Sequence, residues 1–172
     1  MRSVGIVLQA RMGSTRLPGK VLAPVGSHSL LELCVRRLSS SGFPVVIATT
    51  ERDEDDPIVT EAGRLEIGVC RGPEHDVLAR YIQAAKAFGF TDVIRATADN
   101  PCVDLGAAGR AMAFRRRVEA DHVVECGLPV GAAVEAVSLD ALERASALGT
   151  VVVAPSAVFT VLYPRLQRDG NR

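Results

Sequence analysis

Leu8-Gln9-Ala10-Arg11-Met12-Gly13-Ser14-Thr15-Arg16-Leu17-Pro18-Gly19-Lys20-Val21-Leu22 follows directly on the apolar run from Val4 to Leu8. The run is short, continuous and bounded by polar residues, which predicts a buried first strand. The stretch after it cannot prolong that strand. Gly13 and Gly19 allow backbone turns that other residues resist, and Pro18 removes one N–H and holds one torsion. Arg11, Arg16 and Lys20 place three cations, and Ser14 with Thr15 two hydroxyls, within ten residues. A loop of this kind at the carboxyl end of a first strand, with free N–H groups and positive charge, suits a polyphosphate better than a plain basic surface.

A P-loop does not account for it. That motif needs four residues between its first glycine and Gly-Lys, and then Ser or Thr. Here five residues, one of them Pro18, separate Gly13 from Gly19, and Val21 follows Lys20. The stretch instead resembles, almost letter for letter, the signature of the cytidylyltransferases that activate sugars and sugar acids. The spore-coat polysaccharide type is nearest, with the CMP-KDO and CMP-sialate synthetases further off. The resemblance implies that the loop wraps the triphosphate of CTP, with Arg11, Ser14 and Lys20 as phosphate contacts and Arg16 a weaker one. Leu8, Ala10, Met12 and Gly13 belong to the same implied nucleotide-binding stretch.

Length and composition narrow the class. A chain of 172 residues makes one domain and not two comfortable ones, and 48% apolar residues supply a sizeable core without any Trp. Net charge is zero, which gives no support to non-specific nucleic-acid or anionic-membrane binding. Cys34, Cys70, Cys102 and Cys126 are scattered, with no C-x-x-C pair, and read as thiols of a reducing compartment. Met1-Arg2-Ser3 leads into an apolar run too short for a signal peptide, and no run approaches membrane-spanning length. The expectation is a cytoplasmic protein.

Beyond the loop, strand and helix patterns alternate. Ser29 to Leu38 has amphipathic spacing, with a cap at Ser27 or Ser29; Pro44 to Thr49 is a second apolar strand. The acidic turn Glu51-Arg52-Asp53-Glu54-Asp55-Asp56 leads into a helix from about Pro57 to Leu65, and its acids are expected to complement the helix dipole. Val69 to Gly72 is a brief third strand, and a helix opens near His75. In the family an arginine-glycine turn at this point borders the nucleotide base, which makes Arg71 a candidate base or phosphate contact. His75 reads as a helix-start residue, since no partner for a general base is identifiable. A fourth strand, Thr91 to Thr97, runs into Ala98-Asp99-Asn100-Pro101.

A carboxylate at the carboxyl end of a central strand points into the crevice where open α/β sheets bind ligands. This segment resembles the family's Gly-Asp-Cys-Pro. The resemblance gives Asp99 the Mg²⁺ on the nucleotide phosphates and sets Thr97 beside the base, although Ala98 and Asn100 replace the usual glycine and cysteine. Asp104 is expected to cap a helix from Leu105 to about Arg117, with Arg115-Arg116-Arg117 a solvated face at its end. Asp121 to Val124 reads as a strand, and Ser138 to Ala145 as a capped helix. In Gly127 to Glu135 the family carries an aspartate two residues before the glutamate. Here that position is Ala133, which leaves Glu135 as the second implied metal ligand.

From about residue 146 the resemblance lapses, and Val151 to Thr160 carries no charge. The whole therefore reads as a single domain over 1–172 with an atypical, shortened C-terminal part. Its expected architecture is a three-layer α/β/α sandwich on a Rossmann-like, mostly parallel sheet, of the nucleotide-diphospho-sugar transferase kind. Right-handed crossovers would gather the loop at 9–20, Arg71 and Asp99 in one crevice. Implied chemistry is transfer of CMP from CTP to a small acceptor, with Arg11, Lys20 and Asp99 as the catalytic groups. The acceptor classes are a sugar, sugar acid, phosphate or phosphonate; nucleic acid and membrane are not expected partners, and a homodimer is implied by the relatives. Two other readings compete. Ala133 and the uncharged tail fit a CTP-binding protein with impaired catalysis. Asp53-Glu54-Asp55 has the letters of a glycosyltransferase Asp-x-Asp site, but it lies in the turn assigned to a helix start.

Overall fold

The structure, a computed structural model, describes residues 3–14 and 17–148. The first strand, β1 (Val4–Gln9), lies inside a six-stranded sheet. Its neighbours are β4 (Val45–Thr50) on one side and β6 (Asp92–Thr97) on the other, both parallel to it. That position explains the unbroken apolar run: Ile6, Val7 and Leu8 are each 0% exposed, because both faces of a central parallel strand are covered. β5 (Gly68–Gly72) forms one edge beside β4. Beyond β6 come β8 (Glu135–Ser138), antiparallel to it, and then the edge strand β7 (His122–Val124). The order β5-β4-β1-β6-β8-β7 is thus mostly parallel, as expected, with one reversed strand.

Helices cover both faces. Ile6, Leu8, Ile47 and Ile94 meet α1 (Leu30–Ser39), α2 (Asp56–Arg64) and α4 (Ala107–Arg117). Val7, Val46 and Val93 point the other way, onto α3 (Val77–Ala87) and α5 (Leu139–Ala147). Three sequence-local caps start these helices: the Ser29 side chain accepts from Glu32 N, Asp76 from Ala79 N and Ser138 from Ala141 N. A two-stranded hairpin, β2 (Pro24–Val25) with β3 (His28–Ser29), joins the loop to α1. The absence of a side chain at Gly5 is a packing requirement. A Cβ there would lie 2.2 Å from the Phe90 ring, which seals the amino end of β1.

Element bounds match the sequence expectation within two or three residues; one local expectation does not hold, and one holds only in part. Arg115-Arg116-Arg117 is not a solvated face. Consecutive helical residues diverge by about 100°, so one of three must turn inward. Arg115 does so: it is 6% exposed, pairs with buried Asp92 and donates Nη1 to Ala120 O at 3.0 Å. Arg116 reaches the other oxygen of Asp92 at 3.2 Å. Asp104 caps the turn that leads into α4, as expected: its Oδ1 accepts from Gly106 N at 2.9 Å and from Arg110 at 2.8 Å, and the helix proper begins after Gly106. The acidic turn, finally, is a 3-10 turn over Asp53–Asp55: Asp56 in the first turn of α2 complements its dipole as expected, whereas Asp55 is buried and gives α2 no side-chain cap. No helix of the described residues is long and apolar enough to cross a membrane. The uncharged segment Val151 to Thr160 lies outside the described residues.

Candidate functional site

The loop leaves β1 at its carboxyl end. Ala10 N still donates to Ala48 O at 3.1 Å, so the chain is in sheet register up to that residue. It then folds back on itself around Met12, whose carbonyl accepts the Ser14 N–H at 2.8 Å and the Gly19 N–H at 2.9 Å. Gly19 takes a left-handed φ of 71°, where a side chain is disfavoured, and opens a 3-10 turn over Lys20–Leu22. That turn aims Lys20 back over the sheet. Its Nζ lies 2.6 Å from Asp99 Oδ2, at the carboxyl end of the neighbouring strand β6. The loop and the carboxylate thus share one crevice, where open parallel sheets hold ligands.

Burial pushes the Asp99 carboxyl up, but the hydrogen bonds from Lys20 and Thr97 and the Lys20 charge outweigh it and hold the group below the usual carboxylate range. Asn100 Nδ2 donates to Thr97 Oγ1 at 2.8 Å, so the Asn that replaces the family's cysteine orients Thr97 beside Asp99. Gly131, with φ of 85°, packs against the same Asn100: a Cβ there would stand 2.6 Å from its Oδ1. The stretch before β8 therefore closes the crevice from the far side.

The remaining sequence candidates divide between the two. Arg11 is exposed, and no carboxylate pairs with it among the described residues. Ser14 Oγ accepts from Leu17 N at 3.4 Å, which leaves its proton to donate. Gly13 is exposed beside Glu54, and Met12 is half-buried. Leu8 and Ala10 are buried at 0% and 3%, so their side chains form the floor beneath the loop. Arg16 lies outside the described residues. Arg71 is not brought to the Lys20–Asp99 pair. It stands on the edge strand β5, and its three guanidinium nitrogens bind Thr50 O at 2.9 Å, Asp56 Oδ1 at 2.6 Å and Arg52 O at 2.7 Å.

Glu135 is held elsewhere too. Its Oε1 takes Arg95 Nη1 at 2.5 Å and its Oε2 lies 3.1 Å from His122 Nε2. Register places Glu135 opposite Arg95, one turn of the pleat before Thr97. Among the described residues no group of three or more His, Cys, Asp or Glu could hold a metal by itself. This donor set still fits Mg²⁺, which takes one or two carboxylates and fills its shell with phosphate and water oxygens.

Two charged residues at the site carried no clear sequence signal. Asp55 sits among exposed acids yet is 0% exposed, and it accepts the Met12 N–H at 2.6 Å. The Asp-x-Asp letters at 53–55 therefore do not present two carboxylates to a metal. Arg80 is 1% exposed and holds the turn after β5, donating to Pro73 O at 2.6 Å and Glu74 O at 2.7 Å. A polar letter on an apolar helix face was the one available sign of it.

Comparison with known proteins agrees with this geometry. Residues 5–149 match the family model described as Cytidylyltransferase. The chain is 35% identical over 147 residues to the uncharacterized protein MJ1063 of Methanocaldococcus jannaschii, covering 84% of this chain and 60% of that protein. It is 42% identical over 110 residues to the spore coat polysaccharide biosynthesis protein SpsF of Bacillus subtilis, covering 60% of this chain and 46% of SpsF. A solved cytidylyltransferase from Leptospira borgpetersenii superposes with a TM-score of 0.81 at 30% identity, over 92% of this chain and 71% of that one. The matches to the two curated relatives thus span 60% and 46% of their lengths. With the mostly parallel sheet, the paired Lys20 and Asp99 and this run of similarity all in agreement, the chain belongs to the cytidylyltransferase family.

Proposed function

We propose that this protein is a CTP-dependent cytidylyltransferase. It moves CMP from CTP to an oxygen nucleophile of a sugar, sugar acid, phosphate or phosphonate acceptor, and releases pyrophosphate. The observation that carries the reading is the meeting of Lys20 and Asp99 at 2.6 Å in the crevice below the loop. In the free protein each neutralises the other. On nucleotide binding Lys20 exchanges its carboxylate for a phosphate, which frees Asp99 as a residue that would hold Mg²⁺.

In the reaction an acceptor oxygen attacks the α-phosphorus, the bond from that phosphorus to the bridging oxygen of the β-phosphate breaks, and the electron pair leaves with pyrophosphate. Such a step depends on alignment and charge neutralisation more than on a covalent protein group. Lys20 and Arg11 stabilise charge on the departing pyrophosphate, and Ser14 donates its hydroxyl proton to a phosphoryl oxygen. Asp99, with Glu135 as a second ligand once released by Arg95 and His122, would hold Mg²⁺, which supplies Lewis-acid polarisation of the phosphate. Charge-assisted hydrogen bonds contribute about 1.5–3 kcal/mol each. Three that tighten in the transition state supply about three to six powers of ten in rate.

None of the three histidines bonds to Lys20 or Asp99: His28 pairs with Glu32, His75 lies in solvent beside Glu74, and His122 lies against Glu135. An acceptor that is already anionic needs no base, which favours the carboxylate, phosphate and phosphonate classes. Arg71 enters this reading through the turn it braces at Thr50 and Arg52, and Thr97 borders the base. The four free cysteines, two of them exposed, suit the cytoplasm. The test is pyrophosphate release from CTP and Mg²⁺ across a panel of these acceptors, beside thermal shifts with CTP, UTP, ATP and GTP. Binding of CTP in preference to the others, with release for at least one acceptor, is the expected result. No shift and no release overturns the reading, and size-exclusion of the same protein tests the homodimer. A CTP-binding member with impaired turnover is the second reading, favoured by Ala133 alone.

A further inference from the structure

We propose that Asp55 is a positioning residue for the phosphate loop, setting where the backbone of Gly13 and Ser14 meets the nucleotide. The proposal rests on the cytidylyltransferase reading. Asp55 is 0% exposed, whereas Asp53, Glu54 and Asp56 around it are all exposed. Complementing the dipole of α2 requires nothing of a buried acid, since the exposed ones already serve. Burial of this carboxylate has another cause: three donors converge on it. Oδ1 accepts the Met12 N–H at 2.6 Å, and Oδ2 accepts the Thr50 N–H at 3.2 Å together with the Thr50 hydroxyl. Buried Arg80, under the adjoining turn, adds a favourable charge.

Both oxygens of the Asp55 side chain act as acceptors here. An amide would set an NH₂ against one of these donors. The grip matters because Met12 is where the loop doubles back. Its N–H is held by Asp55, and its carbonyl holds Ser14 N at 2.8 Å and Gly19 N at 2.9 Å. A continuous chain of hydrogen bonds therefore runs from the end of β4, through Asp55 and Met12, to the residue preceding Lys20. Asp55 touches no substrate in this scheme; it fixes the loop that does.

The experiment compares wild type, Asp55→Asn and the exposed-acid control Asp53→Asn as full chains. Amide hydrogen exchange at Met12, Ser14 and Gly19 is read beside the CTP dependence of pyrophosphate release. In Asp55→Asn we expect exchange at these three amides to quicken at least tenfold while Ile47 and Ile94 stay protected. KM for CTP should rise about tenfold with a smaller change in kcat. Asp53→Asn should match wild type in both. Thr50→Val, which removes the hydroxyl donor to Asp55 together with the acceptor of the Arg52 N–H, should loosen Met12 in the same direction to a smaller extent. Unchanged exchange at the three amides in Asp55→Asn overturns the proposal. So does protection lost uniformly along the chain, which would make Asp55 a general stability residue. If wild type itself neither binds CTP nor releases pyrophosphate, the enzymatic reading fails, while the exchange data still decide whether Asp55 orders the loop.

Discussion

Lys20 Nζ stands 2.6 Å from Asp99 Oδ2 although 79 residues separate the two in the chain. Parallel pairing of β1 with β6 brings their carboxyl ends side by side, and the left-handed turn at Gly19 sends the lysine back over them. Their side chains are 24% and 34% exposed, so water reaches both. A pair in such a setting contributes only about 0–1 kcal/mol to stability. In the proposed reaction its value lies in holding a cation and a carboxylate at the crevice, open to new partners.

Substitution of either residue should therefore separate activity from stability. Lys20→Met removes one charge-assisted bond in the transition state, about 1.5–3 kcal/mol, or roughly 10- to 150-fold in kcat/KM. Asp99→Asn should raise the Mg²⁺ concentration for half-maximal turnover and lower the turnover itself. Both should shift the thermal midpoint by no more than about 2–4 °C. Pyrophosphate assays and melts on the same preparations check this. A large fall in Tm with residual activity per folded molecule intact would refute it.

Ala133 offers the opposite experiment. Extending the antiparallel register in which Arg95 faces Glu135 sets Ala133 against Thr97, next to Asp99. Ala133 is half-buried, so a carboxylate there retains contact with water. Ala133→Asp should lower the Mg²⁺ concentration for half-maximal pyrophosphate release about tenfold. A large gain in turnover would favour the impaired-site reading, and unchanged turnover would eliminate it.

Asp92 tests the far end of the same strand. It is 3% exposed and takes both Arg115 and Arg116. Asp92→Ala takes the Asp92 carboxylate away from buried Arg115, at a cost of about 3–5 kcal/mol. Asp92 lies seven residues from Asp99, about 20 Å along an extended chain, so KM for CTP of the folded fraction should not change. Thermal denaturation and kinetics read the two effects separately.

Acid should act through α1 and α2. The hydrogen bond from Arg64, with lesser help from Ser29, holds the Glu61 carboxyl down at about 2, against 4.5 for the free group. A depressed native pKa stabilises the fold above the unfolded value, and that stabilisation is lost as pH falls from about 4.5 toward 2. Glu61→Gln should flatten the fall of Tm over this window, and melts at half-unit pH intervals measure the slope.

Strand periodicity, the turn residues of the loop and the amphipathic spacing of the helices were readable directly, because each depends on neighbours within a few residues. So was the likeness of the loop and of Asp99 to the cytidylyltransferase signature. The roles of several charged letters were not. Arg115 and Arg117 stand two apart on the same helix, yet one is buried on Asp92 and the other lies over the Phe114 ring at 5.0 Å. Asp55 and Asp56 are adjacent, yet one grips the loop and the other pairs with Arg71 on the surface. Nothing local distinguishes them, since a charge is assigned by whichever distant segment packs against it.

By itself, then, the sequence determined an alternating α/β chain whose first strand ends in a cationic, glycine-broken loop, since apolar period and backbone freedom are properties of short stretches. Tertiary structure alone decided that Lys20 meets Asp99, that Asp55 holds Met12, and that Arg71 and Glu135 are engaged by other partners. Those outcomes depend on strand order and register, which bring together groups dozens of residues apart and leave each buried charge with the partner that geometry supplies.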